Sequence, residues 1–243
     1  MAELILQARE KKAYEIKKAE YWAKVRAESP KPTKEQFLSF CFDKWKNRHG
    51  YDFLVDQQNE SIFEKLSNYF YGEISLTDTD LSQDKGILIF GCVGTGKTAI
   101  MRFFCDNPMN SFFVVPASDI AQVFQRGGFE GKEGFEGLNI FTDKKLNRTY
   151  AGNFKPRQAI GICIDDMGIE PVPSVHYGNS VNVVSHILQS RYTDFEYFGN
   201  KTHITTNLDS AMIEQVYGQR VRSRMAEMFN ILKLQGSDRR RTK

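Results

Sequence analysis

Eight consecutive residues, Gly91-Cys92-Val93-Gly94-Thr95-Gly96-Lys97-Thr98, have the types and spacing needed to hold a chain of phosphates. Glycines let the backbone wrap closely around phosphate, and successive N–H groups at a helix N-terminus point at the negative charge. In that pattern Gly91, Gly94, Thr95 and Gly96, with Ala99 just beyond, form the cradle. Lys97 reaches the β- and γ-phosphates, and the Thr98 hydroxyl holds Mg²⁺. A second group, Asp165-Asp166, follows the apolar run Ile160-Gly161-Ile162-Cys163-Ile164. Carboxylates at the end of a strand suit metal coordination and water activation: Asp165 would hold Mg²⁺ through water, and Asp166 would polarise the attacking water. The Asp166 side chain is a methylene shorter than glutamate's, which also leaves open a nucleotide-gated scaffold that does not hydrolyse. Asn207 ends His203-Ile204-Thr205-Thr206 and could orient water or sense the γ-phosphate, although a strand-ending Asn is often only a turn residue. Finally, Tyr217-Gly218-Gln219-Arg220-Val221-Arg222-Ser223-Arg224-Met225 places three arginines within five residues. On a helix Arg220 and Arg224 share a face and Arg222 does not. Two guanidiniums on one face either decorate a basic surface or reach a phosphate across a subunit boundary.

These groups need elements to position them. Residues 86–90 are a short apolar run before the phosphate loop, and residues 99–104 can form a helix after it. That strand–loop–helix context is what the loop requires. Apolar runs recur at 112–115, 160–164 and 203–206, with helical or loop segments between them. The alternation predicts an α/β fold with a parallel sheet sandwiched by helices. Residues 59–71 carry Ile62, Phe63, Leu66, Tyr69 and Phe70 at helical spacing. Upstream, residues 3–28 are rich in helix formers, Pro30 and Pro32 interrupt them, and Thr33-Lys34-Glu35-Gln36 reads as a capping box opening a helix through Trp45. The chain is thus divided into a helical extension, 1–50, and a main domain, 51–243. Residues 126–157 break the alternation with six glycines among aromatics, as a long loop or hairpin. Lys144, Lys145, Arg148, Lys155 and Arg157 there lie near Phe141, Tyr150 and Phe154. Cations beside stacking aromatics suit single-stranded nucleic acid, and an ordered surface hairpin accounts for them equally well.

Of the 243 residues, 41% are hydrophobic and 26% charged, as expected for a globular protein with a real core. The net charge of +3 does not by itself indicate a nucleic-acid partner. Residues 1–6 are too short and mixed for a signal peptide, and no apolar run approaches membrane-spanning length, so no membrane role is expected. Cys41, Cys92, Cys105 and Cys163 form no CxxC pair, which predicts a reduced, cytoplasmic setting without structural zinc.

Taken in order, GCVGTGKT (91–98), ICIDDMG (162–168), Arg191-Tyr192, ITTN (204–207), YGQRVRSRM (217–225) and LQGSDRR (234–240) resemble the AAA+ ATPases, and within them the DnaC/DnaI-type helicase loaders and IstB-type transposition ATPases. The resemblance spans about residues 51–240. It implies a P-loop AAA+ core with ATP and Mg²⁺ as ligands, Asp165 and Asp166 as Walker B, and Asn207 as sensor 1. It makes Arg224 the arginine finger acting in trans, with Arg220 its close rival. Arg239 matches the family's G-x-S-x-R-like ending only loosely, because Gly236 and Ser237 are adjacent. Fewer than 20 residues follow Arg224, so no full helical lid is expected. The family also implies a homo-oligomer that grips single-stranded DNA and uses its N-terminal extension to hold a partner, here a replicative helicase. An IstB-like ATPase delivering a transposase to target DNA is the alternative. A monomeric P-loop small-molecule kinase is disfavoured, since no acceptor-binding signature or lid arginine cluster is present.

Overall fold

The computed structural model describes residues 31–73, 81–131, 137–141 and 161–239. Two compact units divide between Phe37 and Leu38. In the smaller, the Thr33 Oγ1 accepts the Gln36 N–H (3.2 Å) and the Gln36 Oε1 accepts the Thr33 N–H (2.9 Å), the reciprocal capping box expected from sequence. It opens α1, Lys34–His49, which runs across the division, so the boundary read at residue 50 falls after this helix. The helical segment at 3–28 and the basic residues of 142–157 lie outside the described residues.

The larger unit is built on a five-stranded sheet. Its strands are β1 (Gly86–Phe90), β2 (Phe112–Pro116), β3 (Gly161–Met167), β6 (Thr202–Thr206) and β7 (Phe229–Lys233), in the order β2-β3-β6-β1-β7. All neighbours pair in parallel. Helices α2 (Glu60–Tyr71), α3 (Lys97–Phe104), α4 (Ala117–Gly127), α5 (Val183–Phe198), α6 (Ser210–Tyr217) and α7 (Gln219–Met228) cover it. A separate two-stranded hairpin, β4 (Ser174–His176) and β5 (Asn179–Val181), follows β3.

A parallel sheet needs cover on both faces, and its central strands therefore read as continuous apolar runs. β6 is buried along its whole length. Successive side chains still alternate between faces, and the two faces are filled differently. One carries Leu88, Ile162, Ile164 and Ile204 against Ile120 and Phe124 of α4, Val184 and Ile187 of α5, and Val221 and Met225 of α7. The other is aromatic: Phe70 of α2 stacks on Phe104 of α3 and on Phe112, and His203 sits among Tyr69, Phe70 and Phe112.

Strands at 86–90, 112–115 and 203–206 and a helix over 59–71 are present as expected. Three features differ. β7 is an additional edge strand, paired with β1 from Gly86↔Phe229 to Phe90↔Lys233 and tied down by Asn230, whose side chain donates to the carbonyls of Ser82 (2.9 Å) and Gly86 (3.1 Å). No breaker separates it from α7, whose helical pattern runs straight into it. The β4–β5 hairpin turns through Tyr177 (φ 44°) and Gly178 (φ 83°), both left-handed as a two-residue hairpin turn requires. And β3 does not stop before its acidic pair but continues to Met167, with a register shift against β6 between Ile164 and Met167.

His203 ties the aromatic face to the sheet, its Nδ1 accepting the Ile87 N–H at 3.0 Å. Burial, reinforced by the charges of Lys201 and Arg191, pushes its pKa down to about 3. In the unfolded chain it titrates at about 6.5, so the unfolded state gains the proton first. The stabilisation is complete above that pH and drains as pH falls toward 3, by up to about 1.4 kcal/mol per pH unit. His203→Asn keeps an acceptor without the titration. Chemical unfolding of both proteins at pH 6.5 and 4.5 is expected to show a loss for the wild type that is larger by about 2 kcal/mol. Equal losses refute the neutral-histidine account.

Candidate nucleotide site

The phosphate loop leaves the C-terminal end of β1, the acidic pair lies near that end of β3, and Asn207 directly follows β6, which lies between them. Adjacent strands are about 4.8 Å apart, so three sequence-distant segments meet at one edge of the sheet. In open α/β sheets that edge is where ligands bind.

Gly94 (φ 82°) and Gly96 (φ 97°) hold left-handed conformations that bend the loop into α3. Thr95, itself buried, closes it by donating its hydroxyl to the Cys92 carbonyl (2.9 Å). Lys97 is 4% exposed. Its ammonium donates to the carbonyls of Gly91 (2.9 Å) and Cys92 (2.7 Å) and to the Asn207 Oδ1 (2.7 Å), so it lies across the loop's mouth and touches the strand beyond.

The Thr98 hydroxyl donates to the Asp165 Oδ1 at 2.8 Å, and the Thr205 hydroxyl donates to the same oxygen at 2.5 Å. Arg102, one turn along α3 from Thr98, approaches the other carboxylate oxygen at 3.7 Å. Thr98 and Asp165 thus offer adjacent oxygen donors at the edge of the loop, a donor set that fits Mg²⁺, a hard cation favouring oxygen. Asp166 has φ 52°, an uncommon conformation for a residue with a side chain, and its N–H donates to the Thr205 Oγ1 at 2.9 Å. The strand irregularity therefore turns two successive carboxylates out of simple pleat alternation. Strain of this kind concentrates where a side chain must be aimed.

The sequence identified Lys97, Thr98, Asp165 and Asn207, which the fold brings together as two hydrogen-bonded pairs, Lys97–Asn207 and Thr98–Asp165, with Asp166 beside the second. It assigned nothing to Thr205, whose hydroxyl contacts both aspartates, or to Arg102. Thr205 belongs to the same ITTN run, and a hydroxyl within a strand buried throughout was the available signal. Arg220 and Arg224 lie elsewhere on α7. The Arg224 guanidinium sits 4.5 Å over the Tyr192 ring, whose hydroxyl donates to Glu227 (2.8 Å). Arg222 pairs with Glu214 (2.7 Å), and Arg220 is exposed. No hydrogen bond or ion pair among the described residues joins these arginines to the loop cluster. Arg191, the sequence neighbour of Tyr192, is buried and structural. It donates to the Thr202 hydroxyl (2.5 Å) and to the carbonyls of Lys201 (3.1 Å) and Phe141 (3.2 Å), and burial lowers its pKa to about 10.

The strand bearing Asn207 lies between the phosphate-loop strand and the acidic strand, with helices on both faces of a parallel sheet. This is the α/β fold with a parallel sheet sandwiched by helices that the sequence predicts. No protein-family model and no curated protein matches the sequence. Among solved structures, the crystal structure of the DnaC helicase loader is similar at 18% identity and a TM-score of 0.46, over 79% of this chain and 99% of that one. The crystal structure of DnaI is similar at 16% identity and a TM-score of 0.48, over 75% and 88%. AMPPCP-bound DnaA from Aquifex aeolicus is similar at 17% identity and a TM-score of 0.45, over 77% of this chain and 50% of that one. Among the described residues no helix is long and apolar enough to cross a membrane.

The left-handed backbone at Asp166 makes a measurable claim. Alanine normally stabilises a fold relative to glycine. At a left-handed position the order reverses by about 1 kcal/mol. Denaturant unfolding of Asp166→Gly and Asp166→Ala is therefore expected to show the glycine variant as the more stable. If alanine is equal or better, β3 does not impose this conformation.

Proposed function

We propose that this chain is an Mg²⁺-dependent ATPase of DNA replication that assembles with copies of itself, each lending an arginine to its neighbour's nucleotide. The observation that carries the reading is a pair of neighbouring hydrogen bonds, Lys97 to Asn207 and Thr98 to Asp165, which tie two consecutive residues at the start of α3 to the residue after β6 and to β3. Loop amides would bind the β- and γ-phosphates. Lys97 would exchange its carbonyl and amide partners for phosphate oxygens, and Asn207, beside the ammonium, would then face the γ-phosphate. Thr98 and Asp165 would hold Mg²⁺, which supplies neutralising charge to the phosphates when bound. Asp166 orients the attacking water and receives its proton as the bond to the γ-phosphorus forms and that to the leaving ADP oxygen breaks.

Neither Arg220 nor Arg224 bonds to the loop residues of its own protomer, which leaves both available to a neighbouring protomer's γ-phosphate. Both lie on the same face of α7, as helical spacing dictates. Arg224 is engaged on Tyr192 whereas Arg220 is exposed, which makes Arg220 the better placed of the two to enter a neighbouring site.

The finer role follows the motif resemblance: an assembly on single-stranded DNA that loads or remodels a replicative helicase held by residues 1–50. The shared motifs leave delivery of a transposase as the alternative. A pull-down with the 1–50 segment separates the two by which partner it retains.

The shared pocket is tested by mixing inactive subunits. Lys97→Ala and Arg220→Ala are each expected to lose ATPase activity by about 10³-fold or more. Mixed in equal amounts, they are expected to recover roughly a quarter of wild-type turnover, the chance that an intact P-loop meets an intact arginine in a closed assembly. The same mixture with Arg224→Ala in place of Arg220→Ala ranks the two arginines. No recovery with either removes the arginine in trans and leaves a protein that binds nucleotide alone.

A further inference from the structure

The parallel pairing of β7 with β1 delivers the chain beyond Lys233 to the same sheet edge as the phosphate loop. Leu234 continues the ladder, its N–H donating to the Phe90 carbonyl at 2.9 Å. Its carbonyl oxygen then passes so close to Gly91 that a Cβ there would lie 2.2 Å from it. Four residues later the chain meets the loop again. A Cβ on Gly94 would lie 2.0 Å from the Asp238 Oδ1, one on Gly96 would lie 3.6 Å from the Arg239 Cδ, and the Arg239 N–H donates to the Gly94 carbonyl at 3.1 Å. The glycine faces that a phosphate loop keeps bare are thus met by the protein's own tail.

A clasp from a distant part of the sequence holds this segment down. The Arg239 guanidinium forms an ion pair with the Asp56 carboxylate. The Gln58 Nε2 donates to the Ser237 Oγ at 3.2 Å, and Gly236 (φ 143°) passes the Gln58 side chain where a Cβ would meet its Oε1 at 2.8 Å. Asp56 is held in place before it meets Arg239, because its own N–H donates to the Asn59 Oδ1 (2.9 Å) and its Oδ1 accepts the Gln58 N–H (3.0 Å). Between the buried Leu234 and the half-buried Asp238 and Arg239, residues 235–237 are exposed. A segment fastened at its ends and solvated in its middle opens locally at far lower cost than the core.

We infer that residues 234–239 form a strap over the phosphate loop, and that unfastening the Asp56–Arg239 clasp gates entry and exit of nucleotide. The inference rests on the nucleotide-binding reading of the loop and adds a control to it. A closed strap walls one flank of the loop with the Asp238 carboxylate, which opposes an approaching polyphosphate. A lifted strap leaves that flank open while the amides, Lys97 and the acidic cluster stay in place. The clasp therefore acts on rates rather than on the strength of binding.

Stopped-flow measurement with a fluorescent ADP analogue on the full chain tests this. Asp56→Asn and Arg239→Gln are each expected to raise both association and dissociation rates about tenfold and keep Kd within about threefold, and the double variant is expected to be no faster than either single, as for residues forming one contact. Gln58→Ala, which removes the Ser237 bond and the Gly236 contact but leaves the Asp56–Arg239 ion pair, should give an intermediate acceleration and guards against a clasp variant that fails to fold. Wild-type rates in the clasp variants overturn the strap. So does a weaker Kd with association unchanged, which would make Arg239 a plain phosphate ligand. A chain that binds the analogue no better than Lys97→Ala overturns the site reading together with the strap. Binding that Lys97→Ala abolishes, with wild-type rates in Asp56→Asn, overturns the strap alone.

Discussion

The Asp165 carboxylate, 3% exposed at the edge of a hydrophobic sheet, is the constraint around which the site is arranged. Taking such a charge out of water costs several kcal/mol unless hydrogen bonds replace its hydration. The replacements come from different elements: Thr98 at the start of α3, Thr205 in β6 and, at longer range, Arg102 farther along α3. Satisfying one oxygen thereby fixes the phosphate-loop helix against both strands that face it. Because hydroxyls are weak donors compared with a metal ion, the same arrangement holds the carboxylate without committing it.

Much of this was legible because it is local. A phosphate loop is a run of residue types at fixed spacing, and glycines with a lysine in that order have few other uses. Strands such as 86–90 and 203–206 are continuous apolar runs for the physical reason that parallel strands are covered on both faces. The capping box at Thr33 and Gln36 is likewise written within four residues. What stayed hidden depends on distant pairing. Asp165 and Asp166 look like the end of a strand, and only the register of β6 shows that β3 continues past them with a left-handed residue inside. Phe229-Asn230-Ile231-Leu232-Lys233 has neither alternation nor a breaker before it, so nothing local distinguishes it from the helix it follows. Its identity as a strand comes from the open edge of β1.

The two faces of the sheet solve the same burial problem with different chemistry. Aliphatic residues fill the face toward α4, α5 and α7. Stacked rings fill the other, together with an imidazole kept neutral by burial so that it can accept a backbone N–H without bringing a charge inside. Arg191 is the counterexample, since a guanidinium cannot shed its proton so readily. It is tolerated because it spends its donors on two carbonyls and a hydroxyl. Those bonds join the Phe141 carbonyl, within the 126–157 segment, to the start of β6. The far end of β6 carries Asn207, so one five-residue strand is anchored by a buried cation at its entrance and meets Lys97 just past its exit.

Helical spacing alone made Arg220 and Arg224 equivalent, and packing breaks the tie. A guanidinium over an aromatic ring gains about 0.5–1 kcal/mol at exposed sites, and the Tyr192 beneath Arg224 is itself oriented by Glu227. Arg224 therefore has something to give up before it can reach a neighbour, and losing it would disturb the contact between α5 and α7. Arg220, one turn earlier at the start of α7, is exposed and gives up little beyond hydration and side-chain entropy. If Arg224 matters to an assembled state, the physically simpler role is to hold α7 rigid so that Arg220 projects from a fixed base. In the proposed shared pocket, such a division between a positioning cation and a reaching cation would account for two arginines on one face.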